Sequence, residues 1–274
     1  NTNQSIPIEG ASIEDYRNTP SRDWQDEAFR LAITKSHKIN IASGGEKTRF
    51  YASLNYLEDQ GSLLNSNFKR LNGRLNLNHK INDKLSAKVD VMFTSYEQNG
   101  LDTKGDSSYS FLRNLITYNP VLNIYEDYEG RNPLDEVSDQ FDLINIVSWH
   151  PIVSLENEYR RTVNQQFIAN LGLKYNPTSN ITLESKVSFN NQFRETGTYY
   201  NSNTVYGRTI NKIDGINGSL DNRTWDYLNV INTANYKKSF KGHSIDFLLG
   251  TTYNSRFRDR QYNRYIDIPE YLEV

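Results

Sequence analysis

The chain has 274 residues, 36% hydrophobic and 12% aromatic, and its 31 basic and 33 acidic residues are interspersed to a net charge of −2. This balance provides no basic field for nucleic acid, which we do not expect as a partner, and the absence of cysteine excludes disulfides and thiolate metal sites. A mean hydropathy of −0.75 beside 19 tyrosines and 12 phenylalanines indicates strand-forming residues in a protein too polar for a large apolar core.

The chain opens with a segment that we expect to be an extracellular loop over residues 1–35. It contains one predicted short helix at 23–31, where Asp23 is the expected N-cap. From residue 36 onward apolar and polar residues alternate, which predicts strands. The first two strands, over 37–43 and 49–56, are joined at a turn that contains Gly44 and Gly45.

The clearest alternation lies in residues 69–80 and 85–94. Leu71, Leu75 and Leu77 share one face of the first stretch, and arginine and asparagine occupy the other. Strands of this length exceed the usual five or six residues but suit a tilted strand that crosses a bilayer. The Asn-Gly pair at 72–73 also fits a hairpin turn. We predict one continuous strand, because the alternation keeps its phase through the glycine.

Four more strands are predicted, at 163–175, 181–190, 225–236 and 243–257. For the 225–236 strand two apolar faces compete, one with Leu228 and Val230 and the other with Tyr227 and Ile231. The predicted long loops cover about 57–67, 97–161, 194–223 and 258–274.

Short and long connections alternate strictly between these strands, which is typical of outer-membrane barrels with short periplasmic turns and long extracellular loops. No apolar run is long enough for a transmembrane helix, so a membrane crossing has to use strands. We therefore predict an all-β fold, an antiparallel transmembrane β-barrel segment of about eight long strands. The apolar face would contact lipid and the polar face would line the lumen. Aromatic residues near the strand ends, such as Tyr56 and Tyr175, suit either interfacial girdles or ordinary strand composition.

Several sequence stretches carry a resemblance to a known family. They are residues 18–20, 23–30, 37–45, 47–57, 59–61 and 70–80, in this order and at characteristic separations. Together they closely resemble the mid-barrel region of SusC/RagA-type TonB-dependent transporters from Bacteroidetes. The resemblance continues through 132–134, 225–238 and 243–250 and so covers most of the chain.

The resemblance implies a bacterial outer-membrane barrel of about 22 strands with an N-terminal plug. It also implies import of oligosaccharides or peptides powered by TonB, and a SusD-like surface lipoprotein as partner. We find no plug domain and no TonB box in the sequence, so we expect an internal barrel fragment whose contact with TonB is made elsewhere. Two alternatives remain open: a surface glycan-binding β-sandwich or adhesin module, and a structural or secretion barrel.

We predict no enzyme activity, no cofactor and no metal site. The sequence has no phosphate-binding loop, paired nucleophile or zinc motif, and its four histidines are scattered. An acidic cluster at 126–139 lacks a recognised calcium-loop spacing and is interpreted as a solvated loop.

Two groups of residues are predicted to meet substrate. Loop aromatics stack on sugar rings or peptide side chains; they are Tyr125, Tyr128, Trp149, Tyr199, Tyr200 and Tyr206. Lumen-facing charges would form a ladder along the path; they are Arg70, Arg74, Lys88, Asp90, Glu184 and Lys186. The alternative for the second group is that these charges pair across neighbouring strands and keep the wall hydrated.

Overall fold

The computed structural model describes residues 17, 21–101, 111–118, 120, 151–202, 204, 206–207 and 215–269. Eight strands form one antiparallel sheet in which each strand pairs with the next in chain order. They are β1 Thr34–Gly44, β2 Thr48–Gln60, β3 Asn67–Lys80, β4 Leu85–Asn99, β5 Glu158–Thr178, β6 Ile181–Tyr200, β7 Asn217–Phe240 and β8 His243–Ile266. The predicted all-β, antiparallel barrel segment is confirmed.

The pairing register sorts the side chains into two faces, because directly opposed residues of an antiparallel pair point to the same side. One row crosses seven strands without interruption and contains Phe50, Leu77, Val89, Leu171, Val187, Val230 and Tyr253. We call the side that carries this row the apolar face and the opposite side the polar face. A slip of one residue in any strand would exchange the two faces, so the alternating sequence fixes the register.

The apolar face is uncovered. Leu54 and Leu171 are each 50% exposed and Leu249 is 61% exposed, and the described residues include no second layer over them. Exposing this much apolar surface to water costs about 25 cal/mol per Å², so the face requires a nonpolar surrounding such as lipid. A β-sandwich buries its alternating face against a second sheet, and this arrangement does not fit that alternative.

Aromatic residues lie at both margins of the apolar face. Tyr175 and Tyr236 lie near the short turns, whereas Tyr56 and Phe93 lie toward the long connections. All four are at least 37% exposed. Their placement on two levels matches the girdles that flank the apolar band of membrane barrels.

The pairing of β7 with β6 shows which of the two competing faces of β7 is the apolar one. Leu228 opposes Phe189 and Val230 opposes Val187, so these residues belong to the apolar face. Tyr227 lies on the polar face, where its hydroxyl donates to Asn254 Oδ1 at 3.0 Å. The prediction of one strand through Gly73 is also confirmed, because β3 runs unbroken from Asn67 to Lys80.

The strands extend farther than the predicted loops allow. β6 continues to Tyr200 and β7 begins at Asn217, inside the range 194–223, and β8 continues to Ile266 inside 258–274. β2 and β4 likewise enter the ranges 57–67 and 97–161. Both faces are largely polar in these extensions, so apolar and polar residues do not alternate regularly there, although the backbone hydrogen bonds of the ladder continue.

Within the described residues, three short helices lie at the end of the sheet that carries the long connections. They are α1 Trp24–Ala28, α2 Phe111–Thr117 and α3 Pro151–Asn157. None of the described helices is long and apolar enough to cross a membrane. Helix α1 is shorter than the predicted 23–31, because Phe29 is extended and forms an isolated bridge with Leu63.

These helices enclose a small buried cluster that we call the loop-side core. It consists of Trp24, Ala28, Leu63, Phe111, Leu115, Tyr118 and Leu155. Trp24 is 3% exposed and meets Tyr118 edge to face, with 5.6 Å between the ring centroids. Asp23 caps α1 by accepting from the backbone N–H of Gln25 and Asp26 at 2.9 and 3.3 Å. The predicted N-cap is confirmed, and Trp24 has a packing role.

Candidate functional site

The six charged residues predicted to face the lumen all lie on the polar face. Arg74 and Asp90 form a cross-strand ion pair at 3.5 Å, and Lys186 pairs with Glu184 on its own strand at 3.1 Å. Lys88 lies in one row with Gly172 and Lys186, and Arg70 lies 6.0 Å from the ring centre of Phe68. Four of the six charges are therefore paired. Exposed pairs of this kind stabilise a fold by about 0–1 kcal/mol each, so they mainly keep the wall polar.

Side-chain amides connect the strands farther up the polar face. Gln192 donates to Asn164 Oδ1 at 2.8 Å, and Gln166 donates to Asn190 Oδ1 at 3.2 Å. An amide both donates and accepts, so these pairs retain hydrogen-bonding capacity for a ligand. The result is a surface suited to hydroxyl-bearing or peptide ligands.

A carboxylate and two guanidinium groups meet on the polar face at the outer ends of β7 and β8. Asp221 Oδ2 lies 2.6 Å from Arg223 Nη2 and 2.9 Å from Arg260 Nη2. Charge-assisted hydrogen bonds from both arginines hold the pKa of Asp221 well below its ordinary value, and the bond from Arg223 has the larger effect. The triad was missed by sequence analysis because residues 258–274 were expected to be a loop. The alternate spacing of Arg256, Arg258 and Arg260 was the available signal of a strand.

The loop aromatics divide into two groups. Tyr125, Tyr128 and Trp149 lie outside the described residues. The rings of Tyr200 and Tyr206 are in contact, with centroids 5.0 Å apart and planes at 54°. Tyr199 adjoins Tyr200 on β6 and therefore points to the opposite face. The structure thus brings together two of the six predicted aromatics.

Polar contacts anchor the connection between β6 and β7. The side chain of Asn217 is buried and donates to the carbonyl oxygens of Tyr206 at 2.6 Å and Gly215 at 2.9 Å. Asn201 Nδ2 donates to Asn157 Oδ1 at 2.6 Å, which ties this connection to the end of α3. Tyr206 is therefore held in place beside the outer end of the sheet.

Two further carboxyl groups beyond the apolar band, besides Asp221, have shifted pKa values. Arg161 donates to Glu97 at 2.7 Å, and this hydrogen bond lowers the pKa of Glu97 and raises that of Arg161. Burial raises the pKa of Glu158 to about 7. Within the described residues, no group of histidine, aspartate and glutamate side chains has the arrangement of a metal site.

Comparison with known proteins links this two-faced sheet to a family, although no family model matches the chain. It is 27% identical over 192 residues to the TonB-dependent receptor P26 of Formosa agariphila, an alignment covering 68% of this chain and 18% of that protein. It is 23% identical over 174 residues to the TonB-dependent receptor SusC of Bacteroides thetaiotaomicron, covering 57% and 17%. The chain is homologous to SusC/RagA-type TonB-dependent receptors. A third relative, receptor P3 of F. agariphila, is 21% identical over 253 residues, or 89% of this SusC-related chain.

Solved structures show that the fold is shared. A chain of the RagAB peptide importer in its closed-closed state superposes with a TM-score of 0.66 at 20% identity, covering 93% of the SusC-related chain. A structure of the RagAB peptide transporter gives the same TM-score over 92%. These matches support the eight-stranded sheet as part of a barrel wall.

The SusC-related chain spans about a quarter or less of the curated relatives that it matches, 24% of P3 and 18% of P26. The relationship confirms the predicted localisation in the bacterial outer membrane. The relatives are receptors rather than enzymes.

Proposed function

We propose that this chain is part of the barrel wall of an active outer-membrane importer for oligosaccharides or peptides, and that it carries no catalytic activity. The observation that carries the proposal is the continuous two-faced sheet, in which one apolar face is exposed across every strand. Such a wall separates lipid from a polar interior. Homology to TonB-dependent receptors supports energy-driven import rather than a purely structural barrel.

In this proposal residues 36–274 form barrel strands with long surface loops, and residues 1–35 form an extracellular loop with a short helix. The polar face lines the lumen, and six charged residues border the substrate path; they are Arg70, Arg74, Lys88, Asp90, Glu184 and Lys186. The aromatic pair of Tyr200 and Tyr206 contacts substrate near the entrance. Tyr125, Tyr128 and Trp149 are further candidate contacts, whereas Tyr199 points away from the lumen.

The plug and the TonB box are proposed to come from the remainder of a longer polypeptide, because the matched relatives are several times longer than this chain. A SusD-like surface lipoprotein is the proposed partner at the extracellular end. The similarity to SusC and to the RagAB importer supports this pairing. The similarity to the RagAB peptide importer supports peptides as one of the two proposed substrate classes.

The test is the intact mass of the native protein extracted from membranes in detergent, together with the identity of co-purifying proteins. A species several times larger than 31.8 kDa that retains a surface lipoprotein and binds the periplasmic domain of TonB is expected. A water-soluble species of 31.8 kDa without a lipoprotein would refute the proposal. A barrel that neither binds TonB nor retains a lipoprotein would instead favour a structural or secretion role.

A further inference from the structure

The outer part of the polar face carries a concentration of arginine across β6, β7 and β8. Five consecutive rows of directly paired residues lie there, made of every second residue of 190–198 on β6, 219–227 on β7 and 256–264 on β8. We call these fifteen positions the arginine platform. Its guanidinium groups belong to Arg194, Arg223, Arg256, Arg258, Arg260 and Arg264. All positions of these rows are described, and Asp221 is the only carboxylate among them. Six positive groups against one negative group give a local charge of +5, whereas the whole chain has a net charge of −2.

The register places like charges directly beside one another. Arg194 opposes Arg223, and Arg223 opposes Arg260, so three guanidinium groups form one row across three strands. Like charges in directly opposed positions destabilise a sheet. Asp221 offsets part of this repulsion through its bonds to Arg223 and Arg260. One carboxylate does not neutralise the five guanidinium groups from Arg194 to Arg260, and a bound anion would reduce the remaining repulsion.

Aromatic rings and amides fill the positions between the arginines. Trp225 lies in a row between Gln192 and Arg258, and the Arg256 guanidinium lies 5.4 Å from the ring centre of Tyr227. The Arg260 guanidinium lies 5.6 Å from the ring centre of Tyr262. Flat aromatic faces stack on the apolar faces of sugar rings, while amides both donate to and accept from hydroxyl groups. Guanidinium groups bind carboxylate and sulfate oxygens in a bidentate manner.

We propose that the arginine platform binds an anionic oligosaccharide whose sugar rings carry carboxylate or sulfate groups. The inference rests on the proposed function, because it takes the polar face as the substrate path. The guanidinium groups bind the anionic substituents, and the aromatic and amide positions bind the rings and hydroxyl groups between them. An acidic peptide would match the charge of the platform, but its carboxylate side chains offer no ring face on which the aromatic residues could stack.

The experiment uses the full-length protein purified in detergent and measures binding by calorimetry. The probes are an oligogalacturonate, a sulfated galacto-oligosaccharide, a neutral galacto-oligosaccharide and an oligoglutamate, all of the same number of units. At least one anionic sugar is expected to bind about tenfold or more tightly than both the neutral sugar and the oligoglutamate. Its affinity should weaken as salt is raised from low to physiological concentration. Equal or tighter binding of the neutral sugar or the oligoglutamate would overturn the proposal.

Variants locate the site. The double variant Arg256→Gln and Arg258→Gln should weaken binding of the anionic sugar about tenfold or more, because each removed charge-assisted hydrogen bond is worth about a factor of ten. The matched control is the double variant Lys38→Gln and Arg49→Gln, which removes two positive charges from the polar face of β1 and β2, and it should leave the affinity within about twofold. Unchanged affinity in the double variant would overturn the proposal. If that loss of charge instead raised the thermal stability of the protein without affecting sugar binding, the platform would serve contacts within the protein.

Capture of the periplasmic domain of TonB separates this inference from the proposed function. If the full-length protein captures TonB but none of the anionic sugars binds, the platform proposal is wrong and the import proposal stands. If an anionic sugar binds in the platform but TonB is not captured, the import proposal is wrong. The comparison of probes uses the unmodified protein, so it decides the question even if the variants fail to fold.

Discussion

Replacing Leu171 with arginine should strongly destabilise the protein, whereas the same change at its neighbour Asn170 should not. Leu171 lies on the apolar face, is 50% exposed and is opposed by Val89 and Val187. Asn170 points to the polar face, in a row with Asp90 and Ser188. The two substitutions add the same side chain one residue apart, so they differ only in the face that receives it.

The magnitude follows from the position of Leu171 between the two aromatic levels. On β5, Tyr175 and Phe167 mark the margins of the apolar band, and Leu171 lies midway between them. Each margin is about 13 Å away along the strand, or about 10 Å along the membrane normal at a tilt of about 40°. An arginine at this depth costs about 2–4 kcal/mol, which is roughly a 30- to 700-fold shift of the folding equilibrium. Close to zero is expected for Asn170→Arg.

The assay is the denaturant midpoint of the full-length protein in phospholipid bilayers, followed by the gel shift between folded and unfolded forms. The Leu171→Arg protein should have a clearly lower midpoint, and the Asn170→Arg protein should resemble the unmodified one. Equal destabilisation by both changes would refute the assignment of the faces. A neutral Leu171→Arg would show that this face does not meet lipid.

Three further predictions concern the extracellular end and the turns. Burial raises the pKa of the Glu158 carboxyl from 4.5 to about 7. The protonated carboxyl therefore contributes its full local stability below about pH 4.5, and this contribution is lost as the pH rises through about 7. Hydrogen exchange of the neighbouring amides should show this pH dependence of stability, and Glu158→Gln should abolish it. Asp23→Ala should cost about 0.5–2 kcal/mol and accelerate exchange of the Gln25 amide, and Asp23→Asn should largely restore protection. Gly100 has a φ of +136° and a Cβ there would lie 3.0 Å from Ser66 Cβ, so Gly100→Ala should cost about 1–3 kcal/mol in denaturant titrations. At Gly45 an added Cβ meets nothing within 4 Å, and Gly45→Ala should change stability little.

The membrane-crossing part of the sheet was predictable because lipid imposes a strict alternation on it. Leu71, Leu75 and Leu77 appear on one face in the sequence and in the structure. The face of β7 was not predictable from its own residues, since Leu228 and Tyr227 are both apolar enough for lipid. Only the pairing of Leu228 with Phe189 on β6 decides it.

The outer parts of the strands were less predictable, because neither of their faces meets lipid. Residues such as Asp259 and Gln261 on β8 are polar although they share the side of the apolar face. Without a periodic apolar signal, a strand and a loop have similar sequences there. The loop-side core also depends on distant contacts, such as the one between Trp24 and Tyr118, which no local pattern encodes.

The strand lengths make the wall uneven, from 11 residues in β1 to 24 in β7 and β8. Because the short turns lie together at one end, the difference of 13 residues projects at the other, about 43 Å along the strand direction. Among the described residues, no second layer covers the outer part of β8, which is exposed along its whole length, so this projecting ribbon is held mainly by its backbone ladder. The backbone hydrogen bonds of β7 and β8 should therefore open at progressively lower free energy toward their outer ends. This part of the wall is then rigid near the short turns and flexible at its extracellular end.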